Sequence, residues 1–164
     1  MFRAIKIAAI GFAALSVSGV TEAQDKSPRQ RLSPSDIDAQ IHGGPGVGSS
    51  GVSGIQNMAL KGDPTQPGLY TILLRVPAHT TIQAHHHPDD RVATVISGNW
   101  YFGYGKRFDE KALKELSPGS FYTEPPNEPH FARTGSAPAV LQIFGYGPTG
   151  TNYEDEENDP VLKK

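Results

Sequence analysis

The sequence contains no cysteine, which excludes disulfide scaffolding, thiol catalysis and lipid attachment through a thiol. It also lacks a Gly-x-Ser-x-Gly elbow, a phosphate-binding loop and a dinucleotide fingerprint. The commonest sequence-readable routes to serine hydrolysis, nucleotide binding and NAD chemistry are therefore closed. An excess of one charge is missing too: the formal net charge is −2, so neither nucleic acid nor a membrane surface is an expected partner. Glycine and proline, by contrast, are plentiful at 18 and 14 residues, which points to many turns and few helices.

The first residues suggest a compartment. Arg3 and Lys6 open the chain, residues 7–20 are apolar or small, and Thr21 and Ala23 stand at the −3 and −1 positions of a cleavage site. This pattern predicts a signal peptide over residues 1–23 and a periplasmic or secreted protein. The apolar run falls short of the ~20 residues that a spanning helix needs. Removing Arg3, Lys6 and Glu22 takes 15 basic and 17 acidic residues to 13 and 16. What remains suits one domain with one core.

Residues 24–54 read as a flexible N-terminal segment, polar at first and then rich in Gly and Ser. A short helix is expected over residues 35–41, and a loop that buries little over 43–54. A strand-rich unit follows over residues 55–150. Leu69 to Val76 is β-branched and aromatic, and two further runs meet at Ser97-Gly98, a hairpin signal. Residues 108–116 suggest a second helical stretch capped by Asp109, and more strands are expected over 120–123, 129–133 and 139–146. Short strands separated by Gly/Pro turns favour a sandwich or barrel. Residues 151–164 form an acidic tail, read as solvated.

Six histidines are present, four of them His79, His85, His86 and His87. On an extended strand, side chains at i and i+2 share a face, so His85 and His87 can grip one ion while His86 points away. Neutral imidazole suits Zn, Fe, Mn, Ni or Cu. Two imidazoles seldom suffice, and His130 is the other histidine of the strand-rich half.

These spacings resemble the cupin superfamily. Its first motif runs Gly, five residues, His-x-His, three or four residues, Glu, six residues, Gly. Its second runs Gly, five residues, Pro-x-Gly, two residues, His, three residues, Asn. Here His85-x-His87 is followed by position 91 and by Gly98, and the second motif runs from Gly119 through Pro125 to His130. Four positions depart from the pattern. His79 and Asn127 replace glycines, both being residues that tolerate a left-handed turn; Thr134 replaces the final Asn, and Arg91 stands where the metal-binding Glu belongs.

The resemblance implies an all-β double-stranded β-helix, a jelly-roll barrel, with one short helix. It further implies a divalent metal on His85, His87 and His130, a small-molecule ligand or substrate, and a homodimer paired through its sheets. Activities in the superfamily include dioxygenases, isomerases and lyases as well as non-catalytic binding modules, and fold does not choose among them.

Arg91 constrains every such reading. A guanidinium keeps its proton and cannot ligate a cation. Placed ~5 Å from a divalent ion, it is repelled by roughly 6–7 kcal/mol at an effective dielectric of ~20. Three outcomes follow: Asp89, Asp90 or a bound anion neutralises Arg91, or Arg91 forms a fork for a substrate carboxylate, or the site holds no metal. Asp89 or Asp90 is also a candidate ligand. Tyr122 is a candidate acid/base, and Glu124, on the same strand face, is placed to reach the metal or act as a base.

Overall fold

The computed structural model describes residues 28–41 and 43–163. The expected leader and His42 lie outside the described residues. A short helix, α1 (Pro34–Gln40), comes first. Ser33 caps it, and Asp36 completes a reciprocal capping box. Strands then follow one another: β1 (Gln56–Lys61), β2 (Gly68–Val76), β3 (Thr81–His86), β4 (Arg91–Ser97) and β5 (Trp100–Tyr104). After them come β6 (Lys114–Leu116), β7 (Phe121–Glu124), β8 (His130–Thr134), β9 (Ala139–Gly147) and β10 (Asn152–Tyr153). Among the described residues, no helix is long and apolar enough to cross a membrane.

The strands form two antiparallel five-stranded sheets, ordered β1-β2-β9-β4-β7 and β10-β3-β8-β5-β6. Their inner faces meet as a jelly-roll barrel. Alternation along β2 and β9 sends Tyr70, Ile72, Leu74, Leu141 and Ile143 inward. Ile82, Trp100, Phe102 and Ala132 answer from the second sheet. Each large apolar side chain so buried stabilises the barrel by roughly 1.5–3 kcal/mol, and this closed core fixes the frame of the site.

Two sequence expectations change. Ser97-Gly98 is not a hairpin turn, because β4 and β5 belong to different sheets and the residues between them cross from one to the other. The signal misleads because Gly98 is needed for a different reason. Its φ is +73°, and a Cβ there would lie 2.0 Å from the Pro138 carbonyl oxygen. The helix expected over residues 108–116 shrinks to one 3-10 turn, Glu110–Ala112, with Asp109 accepting from the Lys111 amide. Residues 114–116 instead pair with β5 and bury Leu116. So short a helix is unfavourable to nucleate, and the open edge of β5 outcompetes it.

The expected left-handed positions are found: His79 and Asn127 have φ of 56° and 58°. The Asn127 amide donates to the His87 carbonyl at 2.7 Å, which ties the second motif's turn to the end of the first.

Candidate metal centre

β3 and β8 carry the histidines, and a bulge aims them. Ile82 pairs with Ala132 and His85 with His130, so β3 spends three residues where β8 spends two. The extra residue reverses the alternation. Ile82 and His85 therefore both face the interior, and His87 follows His85 inward at i+2. One ligand nitrogen from each of His85, His87 and His130 lies within 4.8 Å of the others, and all three residues are buried.

Backbone carbonyls orient the rings. His85 Nδ1 donates to the Gln83 carbonyl at 2.8 Å, His87 Nδ1 to Gly150 at 2.5 Å and His130 Nδ1 to Glu128 at 3.0 Å. A carbonyl only accepts, so each Nδ1 holds the proton and each Nε2 presents a lone pair. Such second-partner bonds are the usual support of metal-binding imidazoles. Burial, assisted by the neighbouring His130, pulls His85 down to about 3. Burial is also the main cause that pulls His130 down to about 4 and holds His87 well below its ordinary value. All three are neutral at pH 7, the form that ligates metal. His130 Nε2 is buried with no hydrogen-bond partner. An orphaned acceptor among neutral imidazoles fits a bound cation.

No protein-family model matches the chain. Its sequence is 32% identical over 88 residues to an enzyme of Bacillus subtilis named H2HPP isomerase, covering 51% of this chain and 36% of that one. Among solved structures, the polyketide cyclase RemF from Streptomyces resistomycificus superposes with a TM-score of 0.61, at 18% identity, over 81% of this chain and 90% of that one. A sugar phosphate isomerase from Silicibacter pomeroyi DSS-3, described as a member of the cupin superfamily, superposes with a TM-score of 0.51. It is 19% identical, over 68% of this chain and 72% of that one. The chain has the cupin fold.

In this cupin barrel Arg91 points inward, and its charge is answered by Glu124. The two face each other on a rung of the β4–β7 ladder, with Arg91 Nε 2.7 Å from Glu124 Oε2. The contact is a close ion pair rather than an aligned hydrogen bond, since neither atom has a hydrogen-bond partner. Arg91 Nη1 also donates to the Gly48 carbonyl at 2.8 Å. Of the two aspartates expected to neutralise Arg91, Asp89 contributes its charge after Glu124, and Asp90 does not take part. Asp89 is buried and accepts from Tyr70 Oη at 2.7 Å, while Asp90 is exposed. Neither joins the histidine cluster.

Tyr122 and Glu124 both line the cavity, as their shared strand face predicts. Burial, together with the nearby Glu124 charge, raises the Tyr122 phenol well above its ordinary value of 10.0. It therefore keeps its proton at neutral pH.

The histidine cavity is small, about 20 Å³, room for roughly one water-sized body. Residues that sequence reasoning passed over close it. The Gly/Ser loop, expected to bury little, carries Ser49 and Ser50 at only 4% and 6% exposure. The acidic segment is anchored as well. β10 pairs with β3, Tyr153 Oη donates to the Ser50 carbonyl at 2.6 Å, and Glu154 accepts from His86 Nδ1 at 2.7 Å. Outside this cover runs a groove of about 410 Å³, which shares Gly48 and Ser50 with the inner cavity. No local signal in residues 43–54 or 151–159 announces these roles, because both depend on partners far away in sequence.

Proposed function

We propose that this cupin is an exported, divalent-metal-dependent enzyme acting on a small anionic or oxygen-rich molecule. The observation that carries the reading is the triad itself: three buried, neutral imidazoles, each with Nδ1 tied to a carbonyl and Nε2 left free. His85, His87 and His130 would hold the ion. When bound, a divalent ion supplies Lewis-acid polarisation of a substrate oxygen, or redox chemistry if it is iron.

The chain's own residues supply the rest. Arg91 and Glu124 cancel as a pair and the imidazoles are neutral, so a divalent ion leaves the pocket positive. That charge favours an anionic or electron-rich ligand. Tyr122 offers a proton-bearing hydroxyl to a ligand oxygen. Phe102, Trp100, Leu141 and Ile143 give the pocket apolar walls, which strengthens each polar contact inside. The groove beside Ser49, Ser50 and Tyr153 shares Gly48 and Ser50 with the histidine cavity, which supports entry of a small molecule from that side once this cover moves.

The residue 1–23 pattern supports export to the periplasm or beyond. On the outer face of the first sheet, Leu69 pairs with Tyr146, and Thr71 and Val92 flank Phe144. Leu69 and Tyr146 are 57% and 66% exposed. An exposed, largely apolar and aromatic patch of this kind supports a second copy of the chain as its cover.

The test loads metal-free protein separately with Fe(II), Mn(II), Ni(II) and Zn(II). Catechols, flavonols, sugar acids and keto acids are then supplied, with oxygen uptake and product mass as readouts. Turnover with one metal and one class supports the enzyme. Saturable binding without any product would instead identify a ligand-binding module.

A further inference from the structure

Glu124 is the buried carboxylate that the ion pair with Arg91 does not fully use. Its Oε2 faces Arg91 Nε at 2.7 Å, but it also lies 3.9 Å from His87 Nε2, and Oε1 lies 3.9 Å from His130 Nε2. These distances are too long for hydrogen bonds. Both histidine nitrogens present lone pairs, since their protons are on Nδ1 facing carbonyls. Carboxylate lone pairs therefore confront imidazole lone pairs across a small buried cavity, with no protein hydrogen between them. A cation seated among them satisfies the carboxylate and all three imidazole lone pairs at once, which a single water with its two protons does not.

The spacing suits one. Two donors bound to the same zinc-sized ion, each at ~2.0–2.1 Å, lie no more than about 4.2 Å apart. The Oε1–His130 Nε2 distance falls inside that limit, and the same carboxylate reaches equally close to His87 Nε2 through Oε2. We infer that Glu124 is the fourth protein ligand of the metal site, its carboxylate supplied from β7 instead of from β4, with Arg91 as its positioning residue. The inference rests on the metal reading above and adds a ligand to it.

The ladder explains how the exchange works. Positions 91 and 124 are direct partners on the same rung, so their side chains leave the same face of the sheet side by side. A carboxylate missing from position 91 is returned from position 124, one strand away. Arginine then occupies the vacated place and grips Oε2, which leaves Oε1 as the oxygen free for the ion. The carboxylate stands between guanidinium and metal, so Arg91 does not abolish the site. Gly48 holds the far side of the guanidinium through its carbonyl, fixing Arg91 and through it Glu124.

Metal-free wild type, Glu124→Gln and His130→Ala are titrated with Co(II), following the visible d–d absorption, and with Zn(II) against a chelator. For wild type the expected result is one ion with a four-protein-ligand spectrum. Glu124→Gln should change the band positions and weaken Zn(II) by more than the 10–100-fold expected of an outer-sphere partner. If that variant fails to fold, the double variant Arg91→Met with Glu124→Met removes both charges and gives the same two readouts. A wild-type-like spectrum with affinity within threefold in either variant overturns the Glu124 assignment alone, provided His130→Ala has lost the metal. Absence of Co(II) and Zn(II) binding by wild type overturns the metal reading and this inference together.

Discussion

Arg91 and Glu124 form a buried ion pair across one rung of the β4–β7 ladder, with Nε 2.7 Å from Oε2 and each residue less than 5% exposed. Removing one partner leaves an uncompensated buried charge. Arg91→Met or Glu124→Leu should each destabilise the protein by about 3–5 kcal/mol, whereas the double replacement should lose markedly less than the sum. Urea unfolding of the four proteins, all metal-free, measures this. Additive losses would mean that the two charges do not depend on each other.

The metal-free protein should weaken in mild acid. His85 is held down to about 3 and His130 to about 4, mainly by burial, against an ordinary 6.5. Below pH 6.5 the unfolded chain therefore binds protons that the folded chain refuses. Their contribution to stability is fully present above pH 6.5 and declines as pH falls toward about 4 and then about 3. Urea midpoints should drop through this window, and a His85→Gln, His130→Gln double variant should show a shallower decline. Equal slopes for the two proteins would contradict the buried, neutral assignment.

Gly98 and Asn127 both occupy left-handed backbone, at φ of 73° and 58°, yet they should respond differently. A Cβ at Gly98 meets the Pro138 carbonyl oxygen at 2.0 Å, so Gly98→Ala should cost at least ~2 kcal/mol from strain and collision combined. Asn127→Gly only relieves a mild strain and should change stability by less than about 0.5 kcal/mol. Chemical denaturation separates the two outcomes.

Leu69 and Tyr146 are cross-strand partners on the exposed outer face of the first sheet. If a second copy covers them, Tyr146→Glu should convert a dimer to a monomer in light scattering after gel filtration, with unchanged circular dichroism. A wild type that is monomeric at tens of micromolar removes the pairing proposal.

Much of this structure is legible in the sequence where local rules suffice. His85 and His87 share a face because strands alternate, and His79 and Asn127 stand at left-handed turns because glycine's neighbours in tolerance replace it there. Other features are set by non-local pairing. The bulge between Ile82 and His85 that sets the histidines' phase is visible only against β8. Glu124 becomes Arg91's partner only when β7 lies beside β4 in register. Gly98 mimics a hairpin signal because a close approach to Pro138 and a tight turn ask for the same residue. The loop carrying Gly48, Ser49 and Ser50 reads as bland because its partners, Arg91, Thr151 and Tyr153, are 43 to 103 residues away.

The most direct test of the metal site is elemental analysis of untagged protein, dialysed without chelator and compared with the His85→Ala, His87→Ala and His130→Ala variants. The structure predicts about one divalent ion per wild-type chain and a large loss from each variant. Wild-type protein with only trace metal, still apo after incubation with Zn(II), Fe(II), Mn(II), Ni(II) and Cu(II) in turn, would contradict it.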